Sequence, residues 1–206
     1  MSTDRDVWDF WAPRYEGLWA QRWSLGPSRR LIHQHLDSVL PDAERILDVG
    51  CGIGQLAQEL AQRRPACEIV GCDASPDMMA RAVRDYPAPN LRYHLGPVEA
   101  MERSSGFDAL VCTHAFPYFP DKPASMGAMA ALLRPGGRLL IIQANTENLY
   151  DRAWLLIVRL TTTPSRYHGA AGLHALMQGA GMTPGDVQSV EKPFWVPSIQ
   201  LVEGVR

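Results

Sequence analysis

Residues 46–56 read ILDVGCGIGQL, an apolar run that ends in Asp48 and then places glycines at 50, 52 and 54. Glycines at that spacing leave a loop with no side chains in the way, where backbone N–H groups can come close to a ligand. The next acid to close an apolar run is Asp73, in EIVGCDAS. Its separation from the loop, about 20 residues, suits an adenosyl ribose held one strand over. A third apolar run, FDALVCT, ends just before His114, and a histidine with a pKa near neutral can remove a proton from an attacking hydroxyl. The plainer reading of His114 is a ring that hydrogen-bonds the ligand or caps the strand. The glycines and the two acids together describe a nucleoside cofactor site.

The loop alone does not say which nucleoside, because Gly52, Gly54 and Ala57 also satisfy the dinucleotide pattern G-x-G-x-x-G/A. Asp48 tilts the choice. A carboxylate two residues before the first glycine repels the pyrophosphate that a dinucleotide loop has to cradle. It attracts S-adenosylmethionine, which has no phosphate and whose sulfonium and ammonium groups are positive. With that acid in place the chain resembles the class I S-adenosylmethionine-dependent methyltransferases, whose first motif, (D/E)-x-G-x-G-x-G, is matched by Asp48, Gly50, Gly52 and Gly54. The resemblance implies S-adenosylmethionine as cofactor and S-adenosylhomocysteine (SAH) as product. Methyl transfer is then an in-line displacement whose rate comes largely from proximity and alignment.

Two further stretches are similar to that family. Asp73 to Met78 reads D-A-S-P-D-M, like the family's D-x-S-x-x-M, which implies that Asp73 holds both ribose hydroxyls, that Ala74 lies in the same cofactor-binding stretch and that Met78 packs on adenine. LRPGGRLLI looks like the family's approach to its fifth strand. A departure follows the third strand, where Gly96-Pro97-Val98-Glu99 replaces the usual Gly-Asp-Ala. Backbone groups of Pro97 and Val98 then line the adenine pocket, and Glu99 is either a substitute acid or a solvated carboxylate at a helix start.

The elements that must position these residues alternate between strand and helix, which implies a parallel sheet with helices on both faces. Leu56 and Leu60 lie one turn apart on a helix after the glycine loop, and residues 68–73 form the second strand. Ser75-Pro76-Asp77 supplies an N-cap, a proline at the first helical position and an acid in the first turn, starting a helix that runs to about Tyr86. Strands follow at 91–95 and 107–113. A helix from about Pro123 to Leu133 is expected to end at RPGG, with Gly136 and Gly137 in the positive dihedrals of a helix stop. The fifth strand, 138–144, is apolar except at its edges, as a strand covered on both faces must be. With the family's last helix and hairpin, this is an α/β, Rossmann-like, seven-stranded, mostly parallel sheet with an antiparallel last hairpin, one methyltransferase domain over residues 1–206.

In an open sheet of this kind the ligand lies beyond the carboxyl ends of the strands, where strand order reverses. Thr113 to Phe119, THAFPYF, falls there. It lacks the acid or Asn before Pro-Pro-aromatic that methyltransferases of planar amino groups often carry, which points away from amide or nucleobase N-methylation. His114 is the residue placed to reach the methyl group, as base or as cofactor contact. Phe116 and Tyr118 are substrate-side candidates.

Two segments would cover the site. In residues 1–40, a helical cover, Trp8, Trp11, Tyr15, Trp19 and Trp23 recur every three or four residues, on one helix or on two broken near Pro13. Trp8 and Trp23 read as core and Trp19 as a substrate contact. The pattern W-x-x-x-A-x-x-Y followed by an acid is similar to the opening of small-molecule methyltransferases of ubiquinone and menaquinone synthesis. That implies Tyr15 at the methionine end of the cofactor, with Glu16 where Asp is usual. In the insertion of residues 145–168, Leu149, Ala153, Leu156, Ile157 and Leu160 share a helical face, and Thr161 to Pro164 ends the helix. Such a long connection is a lid, a contact between two copies in a homodimer, or a plain packing helix. Tyr150, Trp154, Tyr167 and His168 are its substrate-facing candidates, and their character suggests a flat or apolar substrate.

Composition narrows the rest. Twenty basic against twenty-two acidic residues give a net charge of −2, and the basic residues cluster only in short doublets such as Arg29-Arg30 and Arg63-Arg64, which leaves no footprint for nucleic acid. The start, MSTDRDVWDFW, carries charges where a signal peptide needs an apolar core. No run approaches the 18 or so apolar residues of a membrane span, so a cytoplasmic protein without membrane insertion is expected. Cys51, Cys67, Cys72 and Cys112 are scattered, with no C-x-x-C pair or histidine at metal-ligand spacing, so neither a metal site nor a disulfide framework is expected. Cys72 and Cys112 read as small buried hydrophobes. The leading function is methyl transfer to an O, C or S nucleophile of a small, aromatic or apolar molecule. A nicotinamide-dependent dehydrogenase is favoured only by Gly52-x-Gly54-x-x-Ala57 and disfavoured by Asp48 and by the want of a recognisable hydride-transfer constellation. A methyltransferase-like protein that binds the cofactor without turnover is the third reading.

Overall fold

The computed structural model describes residues 21–102, 106–145, 149–159 and 165–206. A wide helical turn, Gln21–Leu25, leads into α1 (Gly26–Val39), followed by β1 (Arg45–Val49), α2 (Gln55–Arg63), β2 (Glu68–Asp73), α3 (Pro76–Asp85), β3 (Leu91–Leu95) and β4 (Phe107–Thr113). Then come α4 (Lys122–Leu132), β5 (Leu133–Ala144), α5 (Leu149–Arg159), α6 (Ala170–Gly179), β6 (Thr183–Ser189) and β7 (Ile199–Val205). One sheet contains all seven strands, in the order β3-β2-β1-β4-β5-β7-β6. The first five strands pair in parallel, and β7 runs antiparallel to both β5 and β6. This is the expected Rossmann-like sheet with its antiparallel last hairpin. Strand order reverses between β1 and β4, so their carboxyl ends frame the crevice where a ligand would enter.

Burial on two faces explains the unbroken apolar runs. Along β5, Leu140 and Ile142 pack into one core with Ile32 and Leu36 of α1 and Leu56, Ala57 and Leu60 of α2. Their neighbours Leu139 and Ile141 turn to the other face, against Met126 and Met129 of α4 and Leu173 and Met177 of α6. Each such aliphatic or methionine side chain contributes about 1.5–3 kcal/mol on burial, which holds α1 and α2 in register with the strand ends they flank. Helix starts are fixed locally. Ser75 accepts a hydrogen bond from the Met78 amide at 3.2 Å with Pro76 in the first turn, and Asp121 does the same for Ala124 at 2.9 Å. The edge strand β6 tolerates Pro184, where the ladder to β7 shifts register.

The RPGG segment departs from the expected helix stop. α4 ends at Leu132, Leu133 already pairs with Phe107, and the chain continues as β5 through a ladder irregularity. Only Gly136 takes a positive φ, +78°, while Gly137 is excluded from carrying a side chain by the carbonyls of Arg134 and Phe107.

On α5 the shared apolar face points to solvent. Asp151 and Leu155 are buried, whereas Leu149 is 82% and Leu156 61% exposed, and Ala153 faces solvent. The cause is a polar anchor: Ser198 donates its amide to Asp151 Oδ1 at 2.8 Å, and the Tyr150 hydroxyl donates to the Trp195 carbonyl at 2.6 Å. A buried carboxylate must keep its partner, so Asp151 sets the rotation of the helix. Leu160 and the side chain of Ile157 lie outside the described residues. Among the described residues, no helix is long and apolar enough to cross a membrane.

Candidate cofactor site and active site

The loop between β1 and α2 is shaped by three glycines in the left-handed region, with φ of +70° at Gly50, +55° at Gly52 and +88° at Gly54. A side chain at Gly50 would collide with Ala115, and one at Gly54 with the Tyr93 hydroxyl. A side chain at Gly52 would enter open space. The loop's amides are not held out for a ligand as expected. Gly50 and Cys51 donate to the Cys72 carbonyl at 2.8 and 3.0 Å, Gly54 donates to the Cys51 carbonyl at 3.0 Å, and Gly52 donates to Asp73 Oδ2 at 2.9 Å. The loop therefore offers a surface cleared of side chains, without the ring of free donors that a pyrophosphate needs.

Asp73 ends β2 and accepts from two amides, Gly52 on Oδ2 and Ser75 on Oδ1, each at 2.9 Å. Asp48, three residues into β1, is 2% exposed, and its Oδ2 has no hydrogen-bond partner among the described residues. Burial and the nearby Asp73 charge push its carboxyl up to about 8, opposed in part by Arg29. A buried acid in that condition calls for a cation.

Asp48 lines a cleft with Gly50, Cys51, Ile53 and Gln55 of the loop, Thr113 at the end of β4, and Leu25 and Arg29 from the start of α1. The Arg29-Arg30 doublet is split by the fold. Only Arg30 is exposed, and Arg29 is steered by hydrogen bonds from Nε to Glu59 Oε1 at 3.0 Å and from Nη1 to Gln21 Oε1 at 3.1 Å. Nothing local in the doublet separates the two arginines. The packing of α1 does.

His114 follows Thr113 and is the one non-glycine residue with positive φ among the described residues, at +59°. A side chain in that conformation is uncommon and marks a position held by its surroundings. Its amide donates to the Ile142 carbonyl at 2.7 Å, and its Nε2 lies 2.9 Å from Ser28 Oγ on α1. Burial lowers its pKa to about 4 rather than the near-neutral value expected from the sequence, so the ring is neutral at pH 7 and a weaker base than a free imidazole.

The remaining candidates divide. Met78 is buried against Ile53 of the loop with Tyr86 beside them, Val98 is buried in the core, and Ala74 and Pro97 are exposed. Glu99 accepts a short hydrogen bond from Ser125 on α4. Phe116 does not face a substrate: it is fully buried, edge-on to Phe119 at 5.7 Å, and belongs to the core. The Tyr118 and Tyr167 hydroxyls lie 3.2 Å apart, and the His168 carbonyl accepts from Gln143 at 2.6 Å. Trp154 donates to the Tyr150 hydroxyl at 3.1 Å, so both aromatics help fasten α5 to the segment before β7. None of these substrate candidates lines the cleft at Asp48. Tyr15 and Trp19 lie outside the described residues. Trp23 packs edge-on to Trp195 at 5.4 Å and joins the core at its margin, as read.

Tyr118 and Lys122 do stand at the Tyr-x-x-x-Lys spacing of a hydride-transfer pair, which corrects the sequence reading. Their geometry is not that of such a pair. Lys122 Nζ donates to the Pro117 and Phe119 carbonyls, both at 3.0 Å, while Tyr118 turns to Tyr167.

Residues 46–137 match the family described as Methyltransferase domain. The ubiquinone biosynthesis O-methyltransferase of Xanthomonas axonopodis pv. citri is 34% identical over 170 residues, which cover 75% of this chain and 69% of that protein. The chain belongs to this methyltransferase family. The demethylmenaquinone methyltransferase of Thermus thermophilus is 35% identical over 136 residues, covering 64% of this chain and 61% of that one. The chain spans about half to three-fifths of the length of several such relatives. In fold it is similar to magnesium protoporphyrin IX methyltransferase of Synechocystis, solved with bound SAH, with a TM-score of 0.71 at 16% identity over 92% of this chain and 88% of that one. Family membership accounts for the cleared loop and the acids at the ends of β1 and β2, and it gives no support to the dehydrogenase reading.

Proposed function

We propose that the protein transfers a methyl group from S-adenosylmethionine to an O, C or S nucleophile of a small, apolar or aromatic molecule, and that it works in the cytoplasm. The observation that carries this reading is Asp48, a buried acid on the wall of the cleft whose Oδ2 has no hydrogen-bond partner among the described residues. A cationic ligand stabilises it, and a phosphate would destabilise it. The residues fit the cofactor from end to end. Asp48, which gives up its proton to an incoming cation, and Arg29 suit the ammonium and carboxylate of an amino-acid end, the open space at Gly52 admits the nucleoside, and Asp73 ends β2 with a carboxylate, the acceptor that ribose hydroxyls need. Bound there, the cofactor supplies an electrophilic methyl group.

The chain's own part is to align the acceptor, exclude water and take a proton. Thr113, at the end of β4, lines the cleft, His114 follows it in the chain, and a neutral His114 can accept the proton of an attacking hydroxyl. Calorimetry with SAH and with NADH tests the cofactor reading: SAH binds and NADH does not, and the reverse result overturns it. His114→Ala tests the base, with SAH affinity retained and the turnover number reduced by about a hundredfold. An unaltered rate would remove the base and leave positioning as the whole of catalysis.

A further inference from the structure

We infer that Ser28 is a positioning residue for His114, fixing the imidazole tautomer in which Nδ1 is the proton acceptor. The inference rests on the reading of His114 as the base. Ser28 is fully buried in the first turn of α1. Its Oγ lies 2.8 Å from the Ser24 carbonyl and 2.9 Å from His114 Nε2. A hydroxyl has one hydrogen, and a carbonyl oxygen has only lone pairs, so two oxygens 2.8 Å apart require that hydrogen between them. Ser28 therefore donates to Ser24 and can only accept from His114. Nε2 carries the ring's hydrogen, and in a neutral imidazole that leaves the lone pair on Nδ1.

The arrangement is fixed at both ends. The left-handed backbone of His114, with its amide on the Ile142 carbonyl, sets where the ring begins, and the Ser28 oxygen sets which way it faces. When the proton of an attacking hydroxyl passes to Nδ1, the ring becomes an imidazolium whose Nε2–H still donates to Ser28, and a charged donor strengthens that bond. Ser28 and Arg29 are consecutive, so one turn of α1 orients the base and brings the guanidinium to the cleft.

Nitrogen-15 NMR of the unliganded protein at pH 7 tests this directly, with the His114 signals assigned by their loss in His114→Asn. The expected pattern has the hydrogen on Nε2, and a hydrogen on Nδ1 in the wild type overturns the inference. In Ser28→Ala the His114 nitrogens shift toward a tautomer mixture and kcat falls about tenfold, while SAH affinity is unchanged. Ser28→Thr, which keeps the hydroxyl, restores both. Wild-type kcat in Ser28→Ala, beside a large loss in His114→Ala, overturns the positioning role. Failure of the base reading is recognised separately, by an unaltered rate in His114→Ala.

Discussion

The Gly52 amide donates to Asp73 Oδ2 at 2.9 Å, joining the middle glycine of the loop after β1 to the acid that ends β2. One carboxylate thus shapes the loop and is the candidate ribose acceptor. Asp73→Ala removes the acceptor of both the Gly52 and the Ser75 amides as well as the ribose contact. Unpaired polar groups cost about 1–3 kcal/mol each, so SAH affinity should fall by at least about tenfold in calorimetry. Unchanged affinity would take Asp73 out of the site.

The glycines separate folding from binding. Gly50→Ala meets Ala115 and should lower the melting temperature strongly, because the end of β4 has to move. Gly52→Ala meets nothing, so its cost is the positive φ of +55°, about 1–2 kcal/mol, and the protein stays folded. Its methyl group enters the open space of the loop, and SAH binding should be lost. Equal affinity in Gly52→Ala and wild type would place the nucleoside elsewhere.

Asp48 makes both stability and binding depend on pH. Its carboxyl is raised from 3.8 to about 8 by burial and by Asp73, so the folded protein holds a proton that the unfolded chain has lost. Stability of the unliganded protein therefore declines as pH rises from about 4 to 8. Asp48→Asn should flatten that decline in thermal unfolding. A cation in the cleft favours the carboxylate, so SAH binding at pH 7 should release up to one proton, read from calorimetry in buffers of different ionisation enthalpy. Proton release that persists in Asp48→Asn would assign it to another group.

Glu203 should behave in the opposite sense. It is buried on β7, where Arg138 donates to Oε1 at 2.5 Å and His35 at 3.3 Å, and the Asp186 amide donates to Oε2 at 3.3 Å. Burial alone would raise its pKa, but these partners hold it down to about 2. Its contribution is complete above about 4.5 and is lost as pH falls toward 2. Glu203→Ala leaves His35 and Arg138 without their anion and should destabilise the fold by about 3 kcal/mol in denaturant unfolding. Cofactor affinity should not change, since none of these residues lines the cleft.

Much of the scaffold was legible because it is written in neighbouring residues. Ser75 caps α3 as its Ser-Pro-Asp setting predicts, the three glycines form the loop cleared of side chains between β1 and α2, and β2, β3 and β4 fall at the expected residues. The misread elements are those where a distant partner overrides the local pattern. RPGG resembles a helix stop until Leu133 pairs with Phe107, and which way the apolar face of α5 points is set by Asp151 meeting the Ser198 amide.

The sequence by itself determined the strand–loop–helix unit around Asp48, the glycines and Asp73, because backbone conformation, capping and two-faced burial depend on residues a few positions apart. Only the tertiary structure decided which acid keeps an oxygen without a partner among the described residues, which arginine of a doublet reaches the cleft, and that Ser28 meets His114 across 86 positions of chain. Those pairings follow from how α1 packs on the sheet, and packing is a property of the whole core that no local pattern encodes.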